Sequence, residues 1–266
     1  MKVWYVLFIS LIPQFLFAQN NLGPRLTAIG KNAIAVSDVW SIQANPAAGQ
    51  DLKSAIIAIA YLRHFFSNEI SSQAFAAAIP FNNNLVATSF QAYGFSEYKE
   101  SKIGFGYAKK LGPDFSLGLN ANYHQLKIAG YGHITGLSLD IGTYYKLLKE
   151  VALGASVINI AQQQYASEAL KSDIPTVFSI GSSYQPTEEV LVAVTISKIL
   201  KQPVDASIGI DYKFARAFSL RGGISICPFK QYGGFGLNYK QFLLDMATVY
   251  DPNLGYSPQM GISYAF

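Results

Sequence analysis

The residue types that do chemistry are few in this chain, and they are spread thin. Three histidines occur, His64, His124 and His133. None stands at close spacing to a carboxylate or cysteine, so no metal-ligand pattern forms. The single cysteine, Cys227, has no partner for an internal disulfide. A hydrolase or acyl transferase needs a serine, a histidine and an acid or amide grouped together, and no such grouping can be picked out. Gly104-Phe105-Gly106 and Gly233-Gly234-Phe235-Gly236 have the look of phosphate loops. Each lies inside an alternating run, however, and lacks the helix that such a loop opens. They read as close-packing or curvature positions in a sheet. Basic residues are scattered and the formal charge is only +4, which leaves nucleic acid unsupported as a partner. The expectation is a chain that is not an enzyme, with no catalytic residue, no cofactor and no metal.

What chemistry does not explain, the two ends begin to. The chain closes on Met260-Gly261-Ile262-Ser263-Tyr264-Ala265-Phe266. Met260, Ile262 and Tyr264 share one face of an extended strand, while Gly261, Ser263 and Ala265 share the other. A closing strand with a free aromatic end resembles the terminal signal of bacterial outer-membrane barrels, and Phe266 is its reading point for the assembly machinery. At the other end, Met1-Lys2, the apolar run Val3 to Phe17 and the Leu16-Phe17-Ala18 site predict a cleaved secretory signal over residues 1–18. Leu16 is a poorer residue for that site than Ala. No cysteine follows the cut, as a lipoprotein would need. The mature chain then begins near Gln19.

Half of all residues are apolar, yet no run after Ala18 reaches the ~18–20 residues of a membrane helix. Charged residues make up 14%, well below the ~25% of soluble domains. Tyr, Phe and Gly number 17, 18 and 22, which suits strands with aromatic girdles and close-packed small residues.

From Lys53 onward the sequence breaks into segments long enough to cross a bilayer as tilted strands. They are predicted at 53–66, 70–81, 85–97, 101–110, 115–128, 134–147, 151–160, 176–185, 190–200, 204–214, 218–227, 231–240, 242–250 and 257–266. That is an even number, as a bacterial single-chain barrel requires. Phe115, Leu117, Leu119, Ala121 and Tyr123 oppose Ser116, Gly118, Asn120, Asn122 and His124. Ala206, Ile208, Ile210, Tyr212 and Phe214 oppose Ser207, Gly209, Asp211 and Lys213. Asp140, Lys146, Asp211, Lys213, Arg221, Lys240 and Asp245 fall on the face away from the aromatics. Charge on a lipid-facing position costs about 2–4 kcal/mol at the bilayer midplane, so these belong in a wet or salt-bridged lumen. With both termini in the periplasm, every second connector is short and turn-forming, and the longest, Ala161 to Pro175, falls outside. The fold class expected is all-β: a 14-stranded antiparallel transmembrane β-barrel of the outer membrane.

Residues 19–52 do not alternate. Gly30 to Ala47 is rich in small residues and ends in Asp38, Trp40 and Asn45-Pro46-Ala47. This resembles the lead-in of the fatty-acid-transporter (FadL)-like barrels. Ile174-Pro175-Thr176 to Pro186, and Phe235 to Phe266, resemble more closely the PorV/PorQ branch of that superfamily, found in Bacteroidota. After the signal at 1–18, the resemblance implies two parts: a plug or lead-in at 19–52 that folds inside, and a barrel at 53–266. It makes Asp38, Trp40, Asn45 and Pro46 the plug hinge. Physics agrees, because a barrel of this size needs something to fill its lumen, and Pro46 biases Asn45 toward extended geometry.

Two functions follow from the resemblance. One is an accessory or partner barrel in an outer-membrane protein machine of the type IX secretion kind. The other is a FadL-like diffusional channel for small hydrophobic compounds, opening sideways where a strand kinks, with Pro80, Gly94, Gly222 and Gly223 as candidate kink or close-approach positions against a plain packing role. Fatty-acid transporters build a greasy capture site from long outer loops, and here the outer connectors are short. That favours the first function. The partners expected are outer-membrane lipid, the barrel assembly machinery and a larger outer-membrane complex.

Overall fold

A computed structural model describes residues 21–165 and 173–266. The signal expected at 1–18 lies outside the described residues. The wall consists of β1 (Ile56–Arg63), β2 (Ser71–Phe81), β3 (Asn84–Gly94), β4 (Tyr98–Lys110), β5 (Phe115–Ile128), β6 (Gly132–Lys146) and β7 (Val151–Ile158). It continues through β8 (Val177–Tyr184), β9 (Val190–Ile199), β10 (Val204–Tyr212), β11 (Phe218–Ile226), β12 (Phe229–Tyr239), β13 (Phe242–Asp251) and β14 (Gly255–Ala265). Each strand pairs with its chain neighbours, and β1 pairs with β14 to close the barrel. Closure runs in register from Ile56↔Ala265 to Leu62↔Gln259, and Phe266 N–H donates to the Ala55 carbonyl at 3.0 Å. A closed sheet has no unpaired edge, which lipid would not tolerate.

The pleat sorts the side chains as their alternation predicts. Leu119, Tyr123, Ile208, Ile210, Tyr212, Phe235 and Met260 are exposed on the outside, while Asn120, Asn122, Asp140, Asp211, Arg221, Asp245 and Gln259 are buried within. Lys213 and Lys240 fall past strand ends, not in the lumen. The expected strand limits shift by up to three residues where the backbone turns left-handed. β1 stops at Arg63, because Phe65 and Phe66 (φ 54° and 51°) reverse the chain. β3 stops at Gly94 (φ 137°), where a Cβ would meet the Tyr98 carbonyl oxygen at 2.0 Å.

Residues 21–52 lie inside the wall and circle it. The helix α1 (Gly23–Ala28) carries Pro24 in its first turn, which the fixed φ of proline suits. Short 3-10 turns follow at Val39–Gln43 and Ala48–Asp51. Pro24 touches β14 at Gly261 and Ala28 touches β12 at Gly234. Ile29 and Gly30 reach β10 and β11 at Gly209 and Gly223, and Ile34 reaches β7 and β8 at Gly154 and Gly181. Asn45 and Pro46 then press on β6 and β5 at Gly142 and Gly118. At Gly209 and Gly142 a Cβ would stand 2.0 Å from the segment, so only glycine admits it there. Its apolar face, Leu22, Leu26, Ile29, Val36, Val39, Trp40 and Ile42, packs on the inward alanines of β1 and β2.

Candidate functional site

The lumen has two storeys. In the one nearer Phe266, residues of the 21–52 segment pack on the wall and are held by charge. Arg25 Nη1 donates to Asp38 Oδ2 at 2.7 Å and its Nε to Asp211 Oδ2 at 3.1 Å. Arg221 Nε stands 3.0 Å from Asp211 Oδ1, and its Nη1 donates to Asp245 Oδ1 at 2.6 Å. Gly236 leaves the room, since a Cβ there would sit 2.6 Å from both Arg221 and Asp245. Burial works to lower the pKa of Arg25, but Asp38 and then Asp211 outweigh it and raise the pKa. A second clamp joins Asp51 to Lys146 at 2.9 Å, Lys110 at 3.5 Å and the Tyr144 hydroxyl at 3.0 Å.

The residues named from the sequence fall in this storey. Asp38 accepts from Trp40 N–H at 3.0 Å, which caps the 3-10 turn, and its other oxygen holds Arg25. Trp40 is buried against Gly23, where a Cβ would lie 2.4 Å from the indole. Asn45 Nδ2 donates to the Ile34 and Thr143 carbonyls at 2.7 and 2.9 Å, and its Oδ1 accepts from Ala47 N–H at 3.0 Å. Asn45 thus ties two parts of the segment to β6, with Pro46 seated beside it. Asp38 and Asn45 belong to different bonding groups, so the four do not form one cluster. Phe266 is exposed outside, edge-on to Tyr264 at 4.9 Å. Sequence reading missed Arg25 as the centre of the charge network and Asp51 as the centre of the clamp. The signal for the first was present: Asp211, Arg221 and Asp245 share the inward parity, and a buried excess of acid calls for a cation.

The storey farther from Phe266 holds a cavity of about 430 Å³, which Asn21 and Leu22 reach. Tyr93, Tyr98, Tyr165 and Tyr232 line it together with Ile158, Ile174, Val177 and Ile199, and Lys31, Lys102, Lys230, Glu100 and Asp205 add charge. His124 Nε2 lies 2.8 Å from Ser138 Oγ, with its ring edge-on to Tyr165. His64 Nε2 lies 2.7 Å from Ser72 Oγ, with its ring edge-on to Tyr93. Burial, then Lys31 and Lys230, lower the His64 pKa to about 4. Burial, then Lys230, lower that of Lys31 to about 8 against the pull of Asp205. Among the described residues, no group of three or more His, Cys, Asp or Glu could hold a metal ion.

The wall is not uniformly laddered. β6 pairs with β7 only from Ile141↔Val157 to Lys146↔Ala152. Among the described residues its other half, Gly132 to Asp140, is laddered to β5 alone, apart from a bond of Ile160 N–H to the Leu139 carbonyl. The kinks expected at Pro80 and Gly222 do not interrupt their ladders: Pro80 pairs with Leu85, and Gly222 with Ile210 and Gly233. A proline on an antiparallel pair loses one donor but keeps its register, so residue type alone could not locate the break.

No protein-family model matches the sequence, and no curated protein does. Solved structures do match, over nearly the whole barrel. The Ralstonia pickettii toluene transporter TbuX is similar at TM-score 0.70 and 12% identity, covering 92% of this chain and 98% of that one. The fold is that of the FadL-type barrels. The Pseudomonas putida toluene transporter TodX matches at TM-score 0.71 and 12% identity, over 91% and 97% of the two chains. A Pseudomonas aeruginosa FadL homologue matches at TM-score 0.64 and 11% identity, over 93% and 98%. These likenesses overturn the expectation of a partner barrel in a type IX-like machine, because the structures that share this fold fit the channel alternative better. The reason is physical. Short connectors limit a capture surface, but they say nothing of what the lumen holds. The finer resemblance to the PorV/PorQ branch gains no support from these structures.

Proposed function

We propose that this protein is a passive outer-membrane channel for small hydrophobic compounds of about one aromatic ring, and that it is not an enzyme. The observation that carries this reading is the likeness, end to end, to toluene and monoaromatic hydrocarbon channels. The cavity supports it. Its volume falls within the ~300–1,000 Å³ of small-molecule sites, and its tyrosines offer edges and faces to a ring. In this reading both termini are periplasmic, residues 21–52 plug the axis, and Phe266 serves assembly. The PorV/PorQ placement rests on the two C-terminal runs alone and bears on ancestry.

The route we infer leaves the cavity sideways. Residues 21–52 run along the inner wall, and the cavity reaches Ile158, Val177 and Ile199, beside the point where the β6–β7 ladder stops. There, among the described residues, the wall has fewer of the ladder hydrogen bonds that hold it shut elsewhere. Few outer residues are available for capture, so transport should be diffusional and unsaturated over a wide concentration range.

Uptake of radiolabelled toluene by a Gram-negative host without its own FadL-type channel tests the proposal. Cells displaying the folded barrel should take up toluene faster than cells with empty vector, and Ser197→Trp, which crowds the thin wall beside the cavity, should remove the gain. Uptake at the vector rate with the barrel correctly inserted would sink the reading.

A further inference from the structure

On the outer surface, just below the end of the β6–β7 ladder, lies a groove of about 440 Å³. Its shape follows from the register. One row of outward side chains runs Ile141, Val157, Phe178, Lys198, Val204 across β6 to β10. The next runs Thr143, Ala155, Ile180, Ile196, Ala206. Phe178 and Ile180 stand exposed, while Thr143, Ala155 and Val157 between them and Ile141 are short, so the surface dips. The Thr143 hydroxyl donates inward to the Ala155 carbonyl at 3.5 Å, which leaves its methyl for the groove. The floor is therefore apolar. At the head of the groove stands one cation, Lys198, flanked by Phe178 and Val204 on the neighbouring strands. Its ammonium donates to the Gln202 carbonyl oxygen in the β9–β10 connector. An ammonium has three donors, so others are left for an incoming oxygen. Lys201, the next cation along, is paired with Asp173 at 3.1 Å.

We propose that this groove is a specific site for one anionic phosphate-bearing membrane lipid, with an acyl chain along Ala155 and Val157 and its phosphate at Lys198. A lysine whose stem lies on apolar surface while its head reaches the interface is placed as a snorkelling residue is. A phosphate there completes its donors at the depth where lipid headgroups lie. The occupant is a bilayer lipid, because an apolar floor with a single cation at its head matches an acyl chain and its phosphate. This inference does not depend on what the lumen conducts.

Native mass spectrometry of the purified barrel decides it, with dioleoylphosphatidylglycerol or its zwitterionic phosphatidylcholine counterpart added to the detergent. The wild type should retain one phosphatidylglycerol per chain, with about fivefold preference over phosphatidylcholine, the ratio expected of one basic residue at a membrane surface. Lys198→Gln should equalise the two lipids, and Ala155→Phe, which fills the groove, should retain neither. Heat-modifiable gel mobility would show that both variants are folded. Equal retention of the two lipids by the wild type, no retained lipid, or retention unchanged in both variants would each overturn the site.

Discussion

Arg221 is where one side chain carries the most. Its guanidinium bridges Asp211 on the neighbouring β10 and Asp245 on β13, across Gly236 of β12, while almost fully buried, and Arg25 brings residues 21–52 to the same Asp211. Removing one member of such a group leaves an uncompensated buried charge, which costs about 3–5 kcal/mol, whereas removing both partners costs far less. Arg221→Met should therefore lower the unfolding free energy of the bilayer-inserted barrel by that order. Arg221→Met with Asp245→Val should recover most of it, because Asp211 keeps Arg25. Urea unfolding followed by tryptophan fluorescence measures both, and equal losses in the single and double variants would show that the pair does not matter to stability. The network was half legible in the sequence. Parity alone placed Asp211, Arg221 and Asp245 inside. Which cation joined them from the non-alternating segment was not legible, since Arg25 sits on a one-and-a-half-turn helix without a period to read.

At the scale of elements, the circling segment and the wall were shaped for each other. Glycines such as Gly142, Gly209 and Gly223 look, in sequence, like weak points of their strands. In the structure they are where the segment comes too close for a side chain, with its backbone at Gly209 and Gly223 and with the Asn45 and Pro46 side chains at Gly142. Asn45-Pro46 reads as a turn in sequence, and only the register shows that the turn rests on β5 and β6. Gly209→Val should separate the two roles. Valine suits β10 as a strand residue, but its side chain would meet the Ile29 carbonyl at a Cβ distance of 2.0 Å. Overpacking of this kind costs about 1–3 kcal/mol. The segment should give way before the closed wall does. In the folded variant, trypsin should cleave after Arg25 or Lys31, which are protected in the wild type, while strand content by circular dichroism stays the same. Protection equal to wild type would mean the segment is not seated on that glycine.

For the whole molecule, the strand number and the inward set were legible because lipid imposes them: each crossing needs its length, its parity and a closed ladder. The cavity and the ladder break were not, since they arise where β7 and β8 end early and β6 runs on, a difference in register that composition does not encode. The same architecture makes a claim about transport along the axis. If residues 21–52 close the barrel through Arg25 and Asp38 at one side and Asp51 at the other, then breaking these clamps opens water where hydrocarbon does not need it. Wild-type barrel in a planar bilayer should show little ion current, since charged solutes would have to pass the storey where residues 21–52 pack. Arg25→Ala combined with Asp51→Asn should give frequent openings with ohmic conductance, because the segment then keeps its apolar seat but loses its charge anchors. Toluene uptake should be nearly unchanged if that route leaves through the wall above the segment. Current that rises together with toluene uptake would place both on the axis and refute the sideways route. Silence in both proteins would show that packing alone, not charge, holds the segment closed.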